Sequence, residues 1–243
     1  MRMCTWNIQL GSRLQAVLDA VSSVPDFRGI DLLALQEASC HDGREDAQLI
    51  AEALGPEYQS FQATAQLRRG REQANALVWR RDAFSPGAAP RLLLLPGPRA
   101  VKVRRVERTL LRALPNQARM AVCAESPALR VYVVHLDVIG FAHKLEQFRS
   151  VLTHMAAQPE VPLTLIAGDL NTFGPSRPRL WRRIAASAAD AGLVNVTSAI
   201  RRTHWTGQKL DAIYALAPTP ITSRAWTVRL RASDHLPVFV ELN

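Results

Sequence analysis

The chain has 243 residues, of which 48% are hydrophobic and 21% charged, a composition typical of a globular protein. The longest apolar runs, such as residues 92–95, are too short to span a bilayer, and the N-terminal residues lack the hydrophobic segment of a secretory signal. The net charge of +9 favours a polyanionic partner, nucleic acid before an anionic membrane surface. Three cysteines without metal-ligand spacing favour buried thiols in a reducing compartment. We expect a cytoplasmic monomer without stable membrane insertion, folded as a single domain over residues 1–243.

Strand-like and helix-like segments alternate along the chain, with strands outnumbering helices about two to one. In chain order, the predicted strands are CTWNI, DLLALQE, NALVWRR, RLLLL, MAVCAE, LRVYVVHLD, LTLIAGDLN, LDAIYA and HLPVFVEL. Ser12 is the predicted cap of a first helix over residues 14–21, and further helices are predicted over residues 49–54, 141–155 and 180–188. Most strands are apolar on both faces, which predicts an α/β (α+β) protein whose sheets pack on each other under outer helices.

The positive charge is concentrated in two clusters. Residues 99–119 hold seven Lys or Arg and one Glu, and residues 177–183 hold four Arg and no acid. Such clusters could grip a phosphate backbone, and we assign Arg104 and Arg105 to substrate binding. The alternative is an arginine-rich sequence whose cations simply cover solvent-exposed faces.

Carboxylate, amide and imidazole side chains recur where apolar strands begin or end: Asn7, Gln36, Glu37, His135, Asp169, Asn171, Asp211, Asp234 and His235. Because the loops at strand ends gather at one rim of a sheet, this is the usual place for a site on such a scaffold. Each residue alone has a structural explanation, such as an Asx-turn in GDLN or a satisfied core histidine at His135. Together they are the residue types that a phosphate-hydrolysing site needs.

Six short motifs in this order resemble the endonuclease/exonuclease/phosphatase superfamily, which includes deoxyribonuclease I, exonuclease III-type abasic endonucleases, neutral sphingomyelinases and inositol-phosphate 5-phosphatases. The motifs are TWNI, LLALQE, VVHLD, IAGDLN, KLDAIYA and SDHLPV, and they span residues 5–238. GDLN and SDHLP are the most specific of the six. The resemblance implies a four-layer sandwich, with two mixed β-sheets face to face, flanked by helices, and the site at one rim.

A divalent cation is the cofactor that this residue set favours. Glu37 is the strongest ligand candidate, since a hard cation such as Mg²⁺ is held by one or two carboxylates together with water and substrate phosphate. The resemblance places Asn7 and Asp234 beside the same ion. No Cys/His cluster suits zinc, so we expect Mg²⁺, with Mn²⁺ as the second choice.

The resemblance also implies roles in proton transfer and phosphate binding. His235 corresponds to the catalytic histidine and Asp211 to its carboxylate partner, which would fix the imidazole tautomer and raise its basicity. Asp169 would orient or deprotonate the attacking water, so the identity of the general base stays open. Asn171 would hold a phosphoryl oxygen, and His135 would donate to the phosphate as charge develops. Asn75 occupies the position of a substrate-contacting amide.

The sequence constrains the identity of the substrate less than it constrains the fold or the site residues. His135 stands where abasic endonucleases usually carry tyrosine, which argues against abasic-site repair. A nuclease acting on DNA or RNA is the first hypothesis, and the basic clusters would then bind the backbone. The second is a phosphoesterase acting on phospholipid headgroups, as sphingomyelinases do, or on a small phosphorylated metabolite. The third is a catalytically silent nucleic-acid-binding module, which would have no need of the full set of polar residues.

Overall fold

The computed structural model describes residues 1–68, 70–97, 118–173 and 177–243. Within them the strands are β1 (Arg2–Asn7), β2 (Leu32–Ala38), β3 (Cys40–His41), β4 (Arg44–Glu45), β5 (Tyr58–Arg68), β6 (Arg71–Arg80), β7 (Arg91–Leu94), β8 (Met120–Glu125), β9 (Leu129–His135), β10 (Leu163–Asp169), β11 (Val194–Asn195), β12 (Asp211–Leu216), β13 (Ser223–Thr227) and β14 (Val238–Leu242). The α-helices are α1 (Leu14–Ser23), α2 (Asp46–Leu54), α3 (Phe141–Ala156) and α4 (Arg177–Asp190).

Two six-stranded mixed sheets form the centre of the protein. The first sheet has the order β13-β14-β1-β2-β6-β5, and the second has the order β11-β12-β10-β9-β8-β7. Within each sheet one central pair is parallel, β1 with β2 and β9 with β10, whereas the remaining pairs are antiparallel. This near-matching topology brings the carboxyl ends of the two parallel pairs to corresponding positions in the two sheets.

Buried apolar side chains divide into three clusters that define the layers. The inner faces of both sheets share one cluster, with Leu77 and Val240 from the first sheet and Val131 and Ile213 from the second. The outer face of the first sheet packs against α1 and α2, and the outer face of the second packs against α3 and α4. The order helix, sheet, sheet, helix is the four-layer sandwich that the sequence predicts.

Three local predictions require correction. Ser12 does not cap α1: the helix begins at Leu14 after Arg13, and the Ser12 hydroxyl contacts Gln9 instead. The eleven-residue strand β5 was not predicted, because its exposed edge position leaves it without a clean apolar alternation. The last strand begins at Val238 and not at His235, since Pro237 has no N–H to give to a ladder.

In the described part of the chain, no helix combines the length and apolarity needed to cross a membrane. The single-domain organisation and the monomeric state stay predictions.

Candidate active site

Strand pairing brings the polar strand ends of the second sheet to one level. Asp169, the last residue of β10, lies opposite Asp211 of β12 on one side and opposite His135 of β9 on the other. In the first sheet, Asn7 at the end of β1 lies opposite Gln36 of β2. The two rims meet because Asn7 Nδ2 donates a hydrogen bond of 3.1 Å to Asp169 Oδ2. Residues from five of the six motifs therefore lie close together at one edge of the sandwich, and the sixth motif, SDHLPV, joins them through His235. Glu37 of LLALQE lies at the same edge, near His135.

His235 lies between two carboxylates. Its Nδ1 is 2.9 Å from Asp211 Oδ2, and its Nε2 is 3.7 Å from Asp169 Oδ2. The backbone holds this ring in place, since His235 N donates to Ser233 Oγ and the Trp6 indole donates to His235 O. The result is a buried acid–imidazole–acid chain, in which His235 from the segment before β14 of the first sheet contacts two carboxylates of the second sheet.

The electrostatics of this chain favour an ion pair. Burial opposes the charged imidazolium, but the carboxylates of Asp211 and Asp169 outweigh it and raise the pKa of His235 to about 10. Burial raises the pKa of Asp169 to about 6, although His235 and the Asn7 amide favour its ionised form. At neutral pH, His235 therefore carries a proton while Asp169 is mainly ionised.

His135 has the opposite electrostatic character. Burial lowers its pKa well below the usual value, and the positive charges of Arg119 and His235 lower it further. Arg119 Nη1 lies 3.1 Å from His135 Nδ1, and because a guanidinium only donates, Nδ1 must accept. The proton of neutral His135 is then on Nε2, which faces Asp169 Oδ2 at 3.6 Å and Glu37 Oε1 at 3.9 Å.

Arg119 is a site residue that the sequence reading missed. We expected it among the surface cations of residues 99–119, but only 4% of Arg119 is exposed. The antiparallel pairing of β8 with β9, in which Ala121 lies opposite Val134, brings Arg119 next to His135. No local pattern reveals this pair, because it depends on strand register. Arg104 and Arg105 lie outside the described residues.

Glu37 is aimed at the site by an irregular backbone. It occupies a bulge in the pairing of β2 with β6 and has a φ of 52°, a left-handed conformation that costs a non-glycine residue about 1 to 2 kcal/mol. Gln73 donates to Glu37 Oε1 at 2.9 Å, and Arg68 Nη1 lies 3.4 Å from the same oxygen. Its carboxylate side chain, 13% exposed, is thus oriented by two side chains and keeps some contact with solvent.

The turn after β1 connects two of the predicted metal ligands. Gln9 N donates to Asn7 Oδ1 at 3.0 Å, while Gln9 Nε2 donates to Asp234 Oδ2 at 3.1 Å. Gln9, Leu10 and Gly11 are all left-handed, with φ of 53°, 57° and 58°. A Cβ on Gly11 would lie 2.3 Å from a carboxylate oxygen of buried Asp46, so only glycine fits at the end of this turn. Gln9 is a second residue missed from the sequence, where it reads as an ordinary surface amide.

Acidic and histidine side chains at the rim could hold a divalent metal ion. Two groups of three ligand-type residues have their ligand atoms within 4.8 Å of one another in the described part of the chain: Asp169, Asp211 and His235, and His204, Asp234 and His235. Asp211 Oδ1 is buried and has no hydrogen-bond partner among the described residues. The ligand atoms of these groups are carboxylate oxygens and imidazole nitrogens, which can hold a divalent metal ion. Glu37 belongs to neither group, and it reaches the cluster through His135.

The two predicted substrate amides have structural partners. Asn171 Nδ2 donates to Leu136 O at 2.8 Å, and Asn171 N donates to Asp169 Oδ1 at 2.8 Å in an Asx-turn. Asn171 is also left-handed, with a φ of 49°, so the loop after β10 is tightly bent beside Asp169. Asn75 Nδ2 donates to Met120 O at 2.7 Å, which ties β6 to β8 across the two sheets.

The fold and the rim of acids and imidazoles define a phosphoesterase scaffold. The chain belongs to the Endonuclease/Exonuclease/phosphatase family, whose model matches residues 4–235. Members of this family are generally hydrolytic phosphoesterases and typically depend on a divalent metal. The predicted family membership and the predicted four-layer fold are both confirmed.

Solved structures agree on the fold at low sequence identity. The endonuclease/exonuclease/phosphatase from Bacteroides vulgatus is 16% identical with a TM-score of 0.71, covering 100% of this chain and 98% of that one. The human Nocturnin catalytic domain with bound sulfate is 16% identical with a TM-score of 0.67, covering 100% and 94%. D. rerio TDP2 complexed with single-strand DNA product is 14% identical with a TM-score of 0.57, covering 100% and 98%. A search of curated proteins finds no match.

Proposed function

We propose that the chain is a Mg²⁺- or Mn²⁺-dependent phosphodiesterase that hydrolyses nucleic acid. The observation that carries this proposal is the buried chain Asp211–His235–Asp169, which lies beside the more accessible carboxylates of Glu37 and Asp234. It combines a proton donor, a proton acceptor and cation ligands within one rim.

The protonation states suggest how the work is divided. Asp169, ionised at neutral pH, accepts a proton from the attacking water as its oxygen bonds to phosphorus. His235 carries a proton into the reaction because Asp211 stabilises the imidazolium, and its Nε2–H is the proton donor toward the phosphoryl group. Neutral His135 offers Nε2–H as a second donor where negative charge develops. The P–O bond to the leaving oxygen of the strand then breaks, and His235 Nε2 gives its proton to that oxygen.

Glu37, Asn7 and Asp234 would hold the cation. When bound, a divalent cation neutralises phosphoryl charge and stabilises the leaving oxygen. Gln9 ties Asn7 to Asp234, and Gln73 orients Glu37, so this side of the rim is organised by hydrogen bonds within the protein.

Several features support nucleic acid as the substrate class. The net charge is +9, and Arg179, Arg182 and Arg183 are exposed together on α4. D. rerio TDP2, which shares the fold, has been solved with a single-strand DNA product.

A reducing compartment such as the cytoplasm suits the three free cysteines, of which Cys4 and Cys123 are buried.

A substrate panel tests the proposal. Supercoiled plasmid, single-stranded DNA, RNA, abasic duplex, sphingomyelin and inositol phosphates are each incubated with Mg²⁺, Mn²⁺ or EDTA. We expect cleavage of nucleic acid that EDTA abolishes, and loss of that cleavage in His235→Ala but not in His154→Ala, a histidine that contacts Tyr132 away from the rim. Cleavage of a lipid or small ester with no cleavage of any nucleic acid would refute the assigned substrate class.

A further inference from the structure

Trp205 is an unusually exposed tryptophan near the candidate active site. Trp205 is 73% exposed, whereas the other four tryptophans of the chain are buried or half-buried. Burial of an indole stabilises a folded protein more than burial of most side chains, and Trp205 does not contribute to the core in this way. Its exposure is informative because of where the ring is held.

Two backbone hydrogen bonds hold the turn that carries Trp205. Gly207 N donates to His204 O at 2.9 Å, which closes a tight turn with Trp205 and Thr206 at its tip, and Gly207 has a φ of 81°. Trp205 N donates to Asp234 O at 2.9 Å. A ring presented on a fixed turn loses little conformational entropy on binding, unlike one on a loose loop.

The turn also connects the indole to the candidate active site through His204. His204 Nδ1 pairs with Thr206 Oγ1 at 2.8 Å, and His204 Nε2 faces Asp234 Oδ2 at 3.6 Å. The His204 ring lies edge-on to the His235 ring at 4.7 Å and 5.8 Å from the Trp205 ring. Taken end to end, these separations limit the indole to about 10.5 Å from His235, roughly three nucleotides of stacked strand.

The surroundings of the ring indicate which ligand it would take. The neighbours in the turn are Thr206, Gly207 and Gln208, so the exposed apolar surface is one ring, smaller than the patch that membrane insertion uses. Arg201 and Arg202, both exposed, precede the turn. One flat ring beside cations is the combination that binds unpaired bases of a single strand, since bases in a duplex are already stacked on each other.

We infer that Trp205 is a stacking platform for an unpaired nucleobase close to the scissile phosphate, so that the substrate is single-stranded nucleic acid or an unpaired end. This inference rests on the proposed function for its choice of phosphodiester. It adds to that function a residue that selects for a base, which a simple phosphate ester does not carry.

A double-mutant cycle between protein and ligand tests it. Wild type, Trp205→Ala and Trp205→Phe are titrated into a fluorescent single-stranded DNA oligonucleotide in EDTA, and binding is followed by anisotropy. The same titrations use oligonucleotides in which one base at a time is replaced by a tetrahydrofuran residue. Val194→Ala, which trims another exposed apolar side chain on β11, is the matched control. Truncating an indole that is 73% exposed leaves the core intact.

We expect Trp205→Ala to weaken binding about 5- to 150-fold and Trp205→Phe to retain most of the affinity. Replacing the one base that stacks on Trp205 should lower the affinity of wild type by a similar factor. The same replacement should not lower the affinity of Trp205→Ala any further. Unchanged affinity in Trp205→Ala would overturn the inference, and so would an equal loss of affinity from Trp205→Ala with every oligonucleotide, whichever base is missing. Because binding is measured without metal or turnover, a failure to cleave nucleic acid leaves this result readable, and the two proposals fail separately.

Discussion

The two sheets contribute to the site in different ways. The residues of the second sheet, His135, Asp169 and Asp211, lie within regular strand ladders and are almost completely buried. The two carboxylates of the first sheet lie where the ladder is broken: Glu37 occupies a bulge and Asp234 precedes β14, and both are partly exposed. Asn7, the third predicted ligand, ends β1 in regular pairing and is buried. Burial lowers the pKa of His135 and raises that of Asp169, which suits proton transfer, whereas the more accessible carboxylates suit a cation that arrives from solvent. His235 is the residue that joins the two halves.

The largest effect should come from breaking the buried half at His235. In His235→Ala the proton donor is lost and Asp211 keeps an uncompensated negative charge. We expect kcat to fall by about 100- to 10⁴-fold, the contribution that a positioned acid or base usually makes. Steady-state cleavage of an oligonucleotide measures it, with His154→Ala as the control. A variant within a few fold of wild type would remove His235 from the mechanism.

Glu37→Gln tests the accessible half. Neutralising this carboxylate removes one charged ligand while Gln73 and Arg68 can still hold the amide. We expect the Mg²⁺ concentration for half-maximal rate to rise about 10- to 100-fold. Glu52→Gln, on the exposed face of α2, is the control and should leave the Mg²⁺ curve in place. An unchanged midpoint in Glu37→Gln would exclude Glu37 as a ligand.

Asp169→Asn tests whether burial in the second sheet raises the pKa of Asp169 and so makes the stability of the protein depend on pH. The folded pKa of Asp169 is about 6, above its value of 3.8 in an unfolded chain, so the stability that this difference contributes is present below pH 3.8 and lost as pH rises through 6. The amide is neutral at every pH. In EDTA, the free energy of unfolding of Asp169→Asn relative to wild type should rise between pH 4 and pH 7.5, by on the order of 1 to 3 kcal/mol.

Urea unfolding at several pH values measures this difference, and Asp19→Asn on the exposed face of α1 is the control. A relative stability that stays flat with pH would mean that Asp169 keeps an ordinary acidity in the folded protein. We expect the same Asp169→Asn protein to be inactive, so stability and activity should change in opposite directions.

Gln9→Ala should have the smallest effect. The variant removes the amide that donates to Asp234, while the backbone bond from Gln9 to Asn7 remains. One hydrogen bond at a partly exposed site predicts a rise of about 2- to 10-fold in the Mg²⁺ midpoint with little change in the maximal rate. Gln15→Ala, which removes an exposed amide on α1, supplies the comparison. A lowered maximal rate at saturating Mg²⁺ would assign Gln9 to the chemistry.

The parts of the site that sequence could predict are those carried by short motifs at strand ends. Asp169, Asp211 and His235 were recognisable because each lies beside an apolar strand, and regular pairing then brings them together. Arg119 could not be recognised, since its contact with His135 depends on the register of two strands. Gln9 could not be either, because only a left-handed turn directs its amide to Asp234.

The interior elements of the fold could also be predicted from the sequence, but its edges could not. Apolar runs revealed the central strands and the amphipathic helices, and hence the layers. The edge strand β5 was missed because it is solvated along much of its length, and the start of β14 was misplaced because Pro237 ends the ladder. Local hydrophobic pattern thus predicts the interior elements well, and the edges and turns poorly.

The most direct test of the division between the two sheets is one pair of Mg²⁺ titrations, on Glu37→Gln and His235→Ala, with cleavage of a single-stranded oligonucleotide as the readout. Our account predicts that Glu37→Gln shifts the midpoint and recovers much of its rate at saturating Mg²⁺. It predicts that His235→Ala keeps the midpoint of wild type and loses maximal rate at every Mg²⁺ concentration. If both variants changed the same parameter, the assignment of the cation to one half and the proton to the other would be contradicted.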